Sequence, residues 1–144
     1  MPLVAGVDSS TQSTKVEVRD LASGEIVASG NAPHQSTLPP RSEQDPASWL
    51  RALSAAWRGA GAPDVAAVSI AGQQHGMVAL DADGVPVHPA KLWNDTESSD
   101  DAHDLVAALG GGAVWADRVG SVPLAAFTIT KLAWLRRTHP ASWD

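Results

Sequence analysis

The chain has 144 residues, 44% of them hydrophobic and 18% charged, with a formal net charge of −6 and no cysteine. That length and apolar content suit about one domain with a buried core and exclude a disordered chain. The acid excess, with no basic cluster larger than the pair Arg136 and Arg137, excludes a nucleic-acid footprint, and the lack of cysteine excludes disulfides and thiolate metal sites. The N-terminal residues lack the basic region of a signal peptide, and no run of about 18 apolar residues could span a bilayer. A cytoplasmic location, with neither membrane nor nucleic acid as partner, is therefore expected.

Leu3 to Val7 reads as a short buried strand, and Lys15 to Arg19 alternates so that Val16 and Val18 share a face. The turn LASGE leads to a further strand from Glu25 to Ser29, giving an antiparallel meander. A Pro-rich connector follows. The segment SEQDPASWL starts a helix, with Asp45 as N-cap and Pro46 at the first helical position. Trp49, Leu50, Leu53, Ala56 and Trp57 predict its apolar face, and Gly59 and Gly61 its end. Val65 to Ala71 reads as a buried strand that returns parallel to the first. Met77–Leu80 and Val85–Val87 flank DADG as a hairpin. A helix is predicted from about Ser99 to Leu109, stopped by Gly110 to Gly112, and a last one from Leu124 to Arg137. After Pro140 no further element is expected. The order βββαβ predicts an α/β fold with a mixed sheet, and no dinucleotide GxGxxG motif is present.

The stretch GVDSSTQSTKVEV, Gly6 to Val18, carries an acid at a strand end, six small polar residues and then Lys15. Backbone N–H groups and hydroxyls in a tight hairpin can cradle phosphate, and a lysine beside them adds charge. An acid there makes sense only with a cation, so Asp8 is a candidate Mg²⁺ ligand. On composition alone, an ordinary Ser/Thr-rich turn is the better explanation of the stretch.

Further on, GQQHG interrupts a strand with a glycine-flanked polar loop, in which Gln74 and His75 could hydrogen-bond sugar hydroxyls. In LWND, Trp93 could present a flat apolar face to a sugar while Asn94 and Asp95 bind hydroxyls; a buried structural indole is the alternative role.

Taken in order, these segments resemble a known family. GVDSSTQSTK resembles the first phosphate loop of the actin-like ATPase superfamily, with Ser10 where that loop usually carries Gly. SEQDPASWL, SIAGQQHG, KLWND and FTITKLAWL resemble successive segments of the FGGY carbohydrate kinases, nearest their xylulose-phosphorylating branch. Many relatives carry Arg at the position of Glu97, so Glu97 is not taken as a site residue. The resemblance runs from residue 4 to residue 140. It implies an RNase H-like, actin-like domain and transfer of the γ-phosphoryl of ATP to D-xylulose, with ATP and Mg²⁺ as cofactors. It implies phosphate contacts at Thr11, Gln12, Ser13, Thr14 and Lys15, metal binding at Asp8, and sugar contacts at Gln74, His75, Trp93, Asn94 and Asp95.

In that family the general-base Asp and the adenine pocket come later, and no G-G-x-D-N-type segment occurs here. The 144 residues are therefore expected to be a partial N-terminal domain, inactive alone, with the C-terminal domain absent from this chain. An uncovered strand edge is expected to favour association into a homodimer.

Overall fold

The computed structural model describes residues 1–143. The elements run β1 (Leu3–Ser9), β2 (Ser13–Asp20), β3 (Ile26–Pro33), β4 (Glu43–Gln44), α1 (Pro46–Gly59), β5 (Ala67–Gly72), β6 (Ala90–Lys91), α2 (Ser99–Ala108), α3 (Gly112–Val119) and α4 (Thr128–Thr138), with a short 3₁₀ turn at Pro140–Ser142. They fall into two compact units. The first comprises Met1–Ser36 and Asp45–Gln73; the second comprises Thr37–Gln44 and the chain from Gln74 onward.

In the first unit, strand order is β3-β2-β1-β5, with β1 antiparallel to β2, β2 antiparallel to β3 and β1 parallel to β5. The meander and the parallel return are those expected from the alternation. Period-2 patterning sends Ala5, Val7, Val16 and Val18 to one face, where Ala52, Ala56 and Ala60 of α1 close over them. Burying one such valine fully contributes about 1.5–3 kcal/mol. The opposite face carries the exposed Asp8 and Lys15, which are direct register partners across β1 and β2.

Helix α1 begins as its sequence predicts: the Asp45 carboxylate accepts from the Ala47 N–H at 2.9 Å, and Pro46 occupies the first turn. Of its expected apolar face, Ala56 is buried and Leu53 and Trp57 pack against the same core, but Leu50 does not join it. Ala52, Ala56 and Ala60 are buried, whereas Leu50 is 69% exposed. The small residues face the sheet because the helix sits very close to β3. A Cβ on Gly30 would lie 1.9 Å from the Ala56 carbonyl oxygen, so only glycine permits this approach. β5 is one of the two edge strands, and all six of its residues are exposed, although Val65–Ala71 reads as buried in the sequence. Val68 and Ile70 point to the same side as Ala5 and Val7, but α1 packs on β2 and β3 and does not reach them.

In the second unit, β4 and β6 form a two-residue antiparallel ladder that the sequence does not announce. The DADG turn forms, with Asp81 accepting from the Asp83 and Val85 N–H groups, but its flanks pair only through the isolated Leu80–Pro86 bridge. α2 starts where expected. α3 is an addition: Gly111 at φ 102° admits the chain to it and Gly120 at φ 80° closes it in the left-handed conformation. α4 starts at Thr128, not Leu124. The carbonyls before it are taken by side chains of its first turn: Lys131 Nζ donates to Ala125 O and Ala126 O at 2.7 and 2.8 Å, and Thr130 Oγ1 donates to Phe127 O at 2.8 Å. Arg137 of α4 grips Asp101 of α2 with two parallel bonds of 2.9 and 2.8 Å. No helix among the described residues is long and apolar enough to cross a membrane.

Candidate active site

The first unit carries the polar hairpin loop between β1 and β2. Its carbonyls are tied down internally. Ser13 O accepts from Ser10 N at 3.0 Å, Gln12 O accepts from His34 N at 2.7 Å, and Ser10 O accepts from Gln73 Nε2 at 3.4 Å. The same Gln73 accepts from Thr11 Oγ1 at 3.4 Å. Carbonyl oxygens held in this way are kept from facing an anion, which suits a phosphate cradle. Thr11 and Ser13 are half-buried, Gln12 and Lys15 exposed. Neither Asp8 nor Lys15 enters an ion pair among the described residues. Asp8 thus offers an uncommitted carboxylate at the strand end, which fits a hard cation such as Mg²⁺ carrying phosphate and water as its other ligands.

Thr14 departs from the expected role. Strand alternation turns it to the buried face with Val16 and Val18, and it is 0% exposed. Its hydroxyl is held by His34 Nε2 at 2.8 Å and lies 3.3 Å from Ser9 Oγ. The side chain therefore braces the hairpin and has no free face for a phosphate. His34, which no motif marks, is part of that brace.

The second unit carries both groups of expected sugar contacts, Gln74 with His75 and Trp93 to Asp95. Backbone bonds Met77 N to Lys91 O and Lys91 N to Met77 O, at 2.9 and 3.0 Å, join the QQHG turn to the segment that leads into Trp93 and Asn94. Thr128 Oγ1 of α4 donates to Gly76 O at 3.3 Å. Gln74 and His75 are exposed, and His75 has φ +59°, a left-handed conformation costing a non-glycine residue about 1–2 kcal/mol. Its ring stacks on Phe127, with centroids 4.5 Å apart and planes 15° apart. Trp93 is 50% exposed, so its indole is not a core residue. Asn94 Oδ1 is buried and has no hydrogen-bond partner, an open acceptor of the kind a ligand hydroxyl would satisfy.

Asp95 is different. It is fully buried; Oδ2 accepts from Ser42 N and Lys91 Nζ at 2.8 and 3.0 Å, and Oδ1 accepts from Glu97 N at 3.1 Å. Both oxygens serve the fold of the loop that presents Trp93 and Asn94, and a direct sugar contact is not open to this side chain. The centre of this support is Lys91, also fully buried. Its ammonium lies 3.0 Å from Glu43, 3.0 Å from Asp95 and 2.6 Å from Glu97, and 3.8 Å from the Trp134 ring centroid. Burial works against its charge, yet the hydrogen bonds it donates to Glu97, Asp95 and Glu43 outweigh it and raise its pKa above the ordinary lysine value. For Glu97 burial pushes the pKa up, and bonds from Arg41 and Lys91 more than reverse this, lowering it. Glu43, Asp95 and Glu97 bring carboxylate oxygens within 4.8 Å of one another, as metal ligands would, but the Lys91 ammonium already bridges them. Lys131 is the opposite case. It is equally buried, with carbonyls instead of carboxylates as partners, and burial lowers its pKa to about 8.

Sequence reasoning missed Lys91, His34 and Phe127. A signal existed for Lys91, four residues before Asp95, and for Phe127, the one phenylalanine in the chain. None existed for His34.

An α/β chain with a polar hairpin loop on a mixed sheet, and a second unit that sets polar loop residues beside exposed aromatics, has the make-up expected of a sugar kinase's N-terminal domain. The profile of the FGGY family of carbohydrate kinases, N-terminal domain, matches residues 3–144, and the chain belongs to that family. It is 55% identical over 141 residues to a xylulose kinase of Streptomyces rubiginosus and 54% identical over 141 residues to one of Streptomyces coelicolor, covering 96% of this chain and 29% of each relative. Among solved structures, the xylulose kinase of Bifidobacterium adolescentis superposes with a TM-score of 0.92 at 41% identity, over 98% of this chain and 30% of that one. The fold is thus the actin-like α/β fold of these kinases, and the chain spans about 29% of the length of the two Streptomyces relatives.

Proposed function

We propose that the complete protein is a xylulokinase, transferring the γ-phosphoryl group of ATP to the primary hydroxyl of D-xylulose to give ADP and D-xylulose 5-phosphate. The observation that carries this reading is the unpartnered Asn94 Oδ1 set beside the half-exposed Trp93, on a segment joined by backbone bonds to the QQHG turn. An apolar wall next to an open acceptor suits a polyhydroxylated ligand. The Streptomyces relatives named xylulose kinase support the same substrate.

Within this reading, each half has a distinct task. Backbone N–H groups of Thr11, Gln12 and Ser13 and the hydroxyls of Thr11 and Ser13 bind phosphate oxygens, with Lys15 adding positive charge. Asp8 holds Mg²⁺, which when bound neutralises developing charge on the phosphates. Thr14 and His34 keep the loop's shape. In the second unit, Gln74, His75 and Asn94 bind hydroxyls, Trp93 covers an apolar face of the sugar, and Asp95 with Lys91 holds their loop. Removing the proton of the attacking hydroxyl falls to a general-base carboxylate in the remainder of the complete protein, as does adenine binding. An enzyme that consumes ATP in this way belongs in the cytoplasm.

The test is sugar-dependent ADP release by the complete protein across D-xylulose, other ketoses, glycerol and gluconate. The reading requires D-xylulose to have the highest kcat/KM. A higher value for glycerol or gluconate would overturn it.

A further inference from the structure

We propose that Phe127 is the positioning residue for His75, fixing the imidazole by its face so that both ring nitrogens stay free for sugar hydroxyls. The proposal rests on reading His75 as a sugar contact. It starts from a problem in the geometry. His75 sits on an exposed turn in a left-handed conformation, and among the described residues its side chain makes no hydrogen bond or ion pair. An exposed imidazole so placed rotates freely unless something holds it, and a binding group that must be frozen on each encounter binds weakly.

The ring contact that holds it is the near-parallel stack on Phe127 at 4.5 Å and 15°. A stack grips the ring by its π-face, whereas a hydrogen bond would occupy a nitrogen that the ligand needs. Phe127 is in turn fixed. It stands at the N-cap of α4, its carbonyl accepts from Thr130 Oγ1, and the two carbonyls before it accept from Lys131 Nζ. The next residue, Thr128, bonds the carbonyl of Gly76, beside His75. The start of α4 therefore holds the QQHG turn at two points, one through a ring and one through the backbone. This gives a role to a phenylalanine that otherwise reads as a helix-packing residue.

The test uses the complete protein and four variants: Phe127→Leu, Phe127→Tyr, His75→Ala and the double variant Phe127→Leu/His75→Ala. Leucine keeps apolar volume and loses the stack, while tyrosine keeps the ring. Phe127→Leu is expected to raise KM for D-xylulose about tenfold with kcat changed by less than about twofold, the pattern of lost substrate binding. Phe127→Tyr is expected to restore KM. The double variant is expected to be no worse than His75→Ala, because a residue acting through His75 has nothing left to act on. A KM unchanged in Phe127→Leu, or a full additional loss in the double variant, would overturn the proposal. A second readout does not depend on turnover. The His75 ring protons, lying over an aromatic face, are expected upfield in the proton NMR spectrum and shifted downfield in Phe127→Leu; an unmoved signal overturns the stack. If His75→Ala leaves KM unchanged while the NMR shift is seen, the sugar contact at His75 fails and the stack stands as a separate fact.

Discussion

The Lys91 ammonium lies 2.6 Å from the Glu97 carboxylate, inside a pocket where Lys91 has no exposed surface. Glu97 is largely buried, and the pairing explains how an acid is accommodated there: its partner is a buried lysine six residues earlier, with Arg41 joining from outside at 3.0 Å. Three carboxylates around one ammonium form a unit in which each charge needs the others. Breaking such a buried set by removing one partner costs about 3–5 kcal/mol. Lys91→Met is therefore expected to lower stability by that amount in denaturant melts, by leaving Glu43, Asp95 and Glu97 to repel one another. A loss below about 1 kcal/mol, the scale of exposed pairs, would show that the cluster is not cohesive.

Lys131 gives a pH signature of opposite sign to the usual paired lysine. Its folded pKa, about 8, is below the ordinary 10.5. Below about 8 the group is charged in both folded and unfolded chains, and the cost of burying the charge is constant. Between about 8 and 10.5 the unfolded chain holds a proton that the folded chain has released, so this group makes stability rise with pH. Lys91, with its raised pKa, contributes stability that is complete below 10.5 and is lost only at higher pH, outside that window. The stability of the wild type relative to Lys131→Met is expected to increase from pH 8 to pH 10.5. Thermal melts that run parallel across this range would contradict the assignment.

Gly30 sets the distance between α1 and β3. With a Cβ placed 1.9 Å from Ala56 O and 2.8 Å from Ala60 N, Gly30→Ala has only backbone to displace. A destabilisation of about 2–3 kcal/mol is expected, at the upper end for overpacking. Gly6→Ala on β1, where a Cβ would meet nothing within 4 Å, is the control and is expected to fold with near-normal stability. Equal losses at the two sites would contradict the close helix approach.

Much of the fold was legible because period and punctuation agree. Val16 and Val18 alternate with Lys15 and Glu17, and Asp45-Pro46 marks a helix start that no competing feature disturbs. The failures have identifiable causes. Leu50 counts as apolar in any pattern, but α1 lies close on β3 at Gly30 and turns Ala52, Ala56 and Ala60 to the sheet, with Leu53 and Trp57 packed beside them, and Leu50 is left outside. α4 loses its first expected turn because Thr130 and Lys131 side chains capture carbonyls that a helix would have used. In the candidate site, residue type and loop position marked His75, Trp93 and Asn94 as proposed sugar contacts, and these three have exposed or unpartnered groups. Type alone could not tell Asp95 from Asn94, or Thr14 from Ser13. The difference lies in which side of the backbone each faces, and partners distant in sequence, Ser42 and His34, occupy the buried ones.

The candidate residues of the two units make different kinetic predictions. His75→Ala is expected to raise KM for D-xylulose with little change in kcat, since it removes a contact to bound substrate. Asn94→Ala is expected to do the same. Thr14→Val, which deletes a hydroxyl already spent on His34, is expected to lower stability by about 1 kcal/mol and to reduce kcat only through the shape of the loop. A Thr14→Val variant with the full defect expected for Asp8 would show that its hydroxyl acts directly on phosphate.

The most direct measurement is the paired determination of D-xylulose-dependent ADP release and D-xylulose binding in the complete protein and its Asp8→Ala variant. The account predicts robust release in the wild type, a loss of roughly 10²–10³-fold or more in kcat on removing Asp8, and sugar affinity within about threefold of wild type, since Asp8 serves the phosphate end alone. Near-normal turnover in Asp8→Ala, or no D-xylulose-dependent release by the wild type, would contradict it.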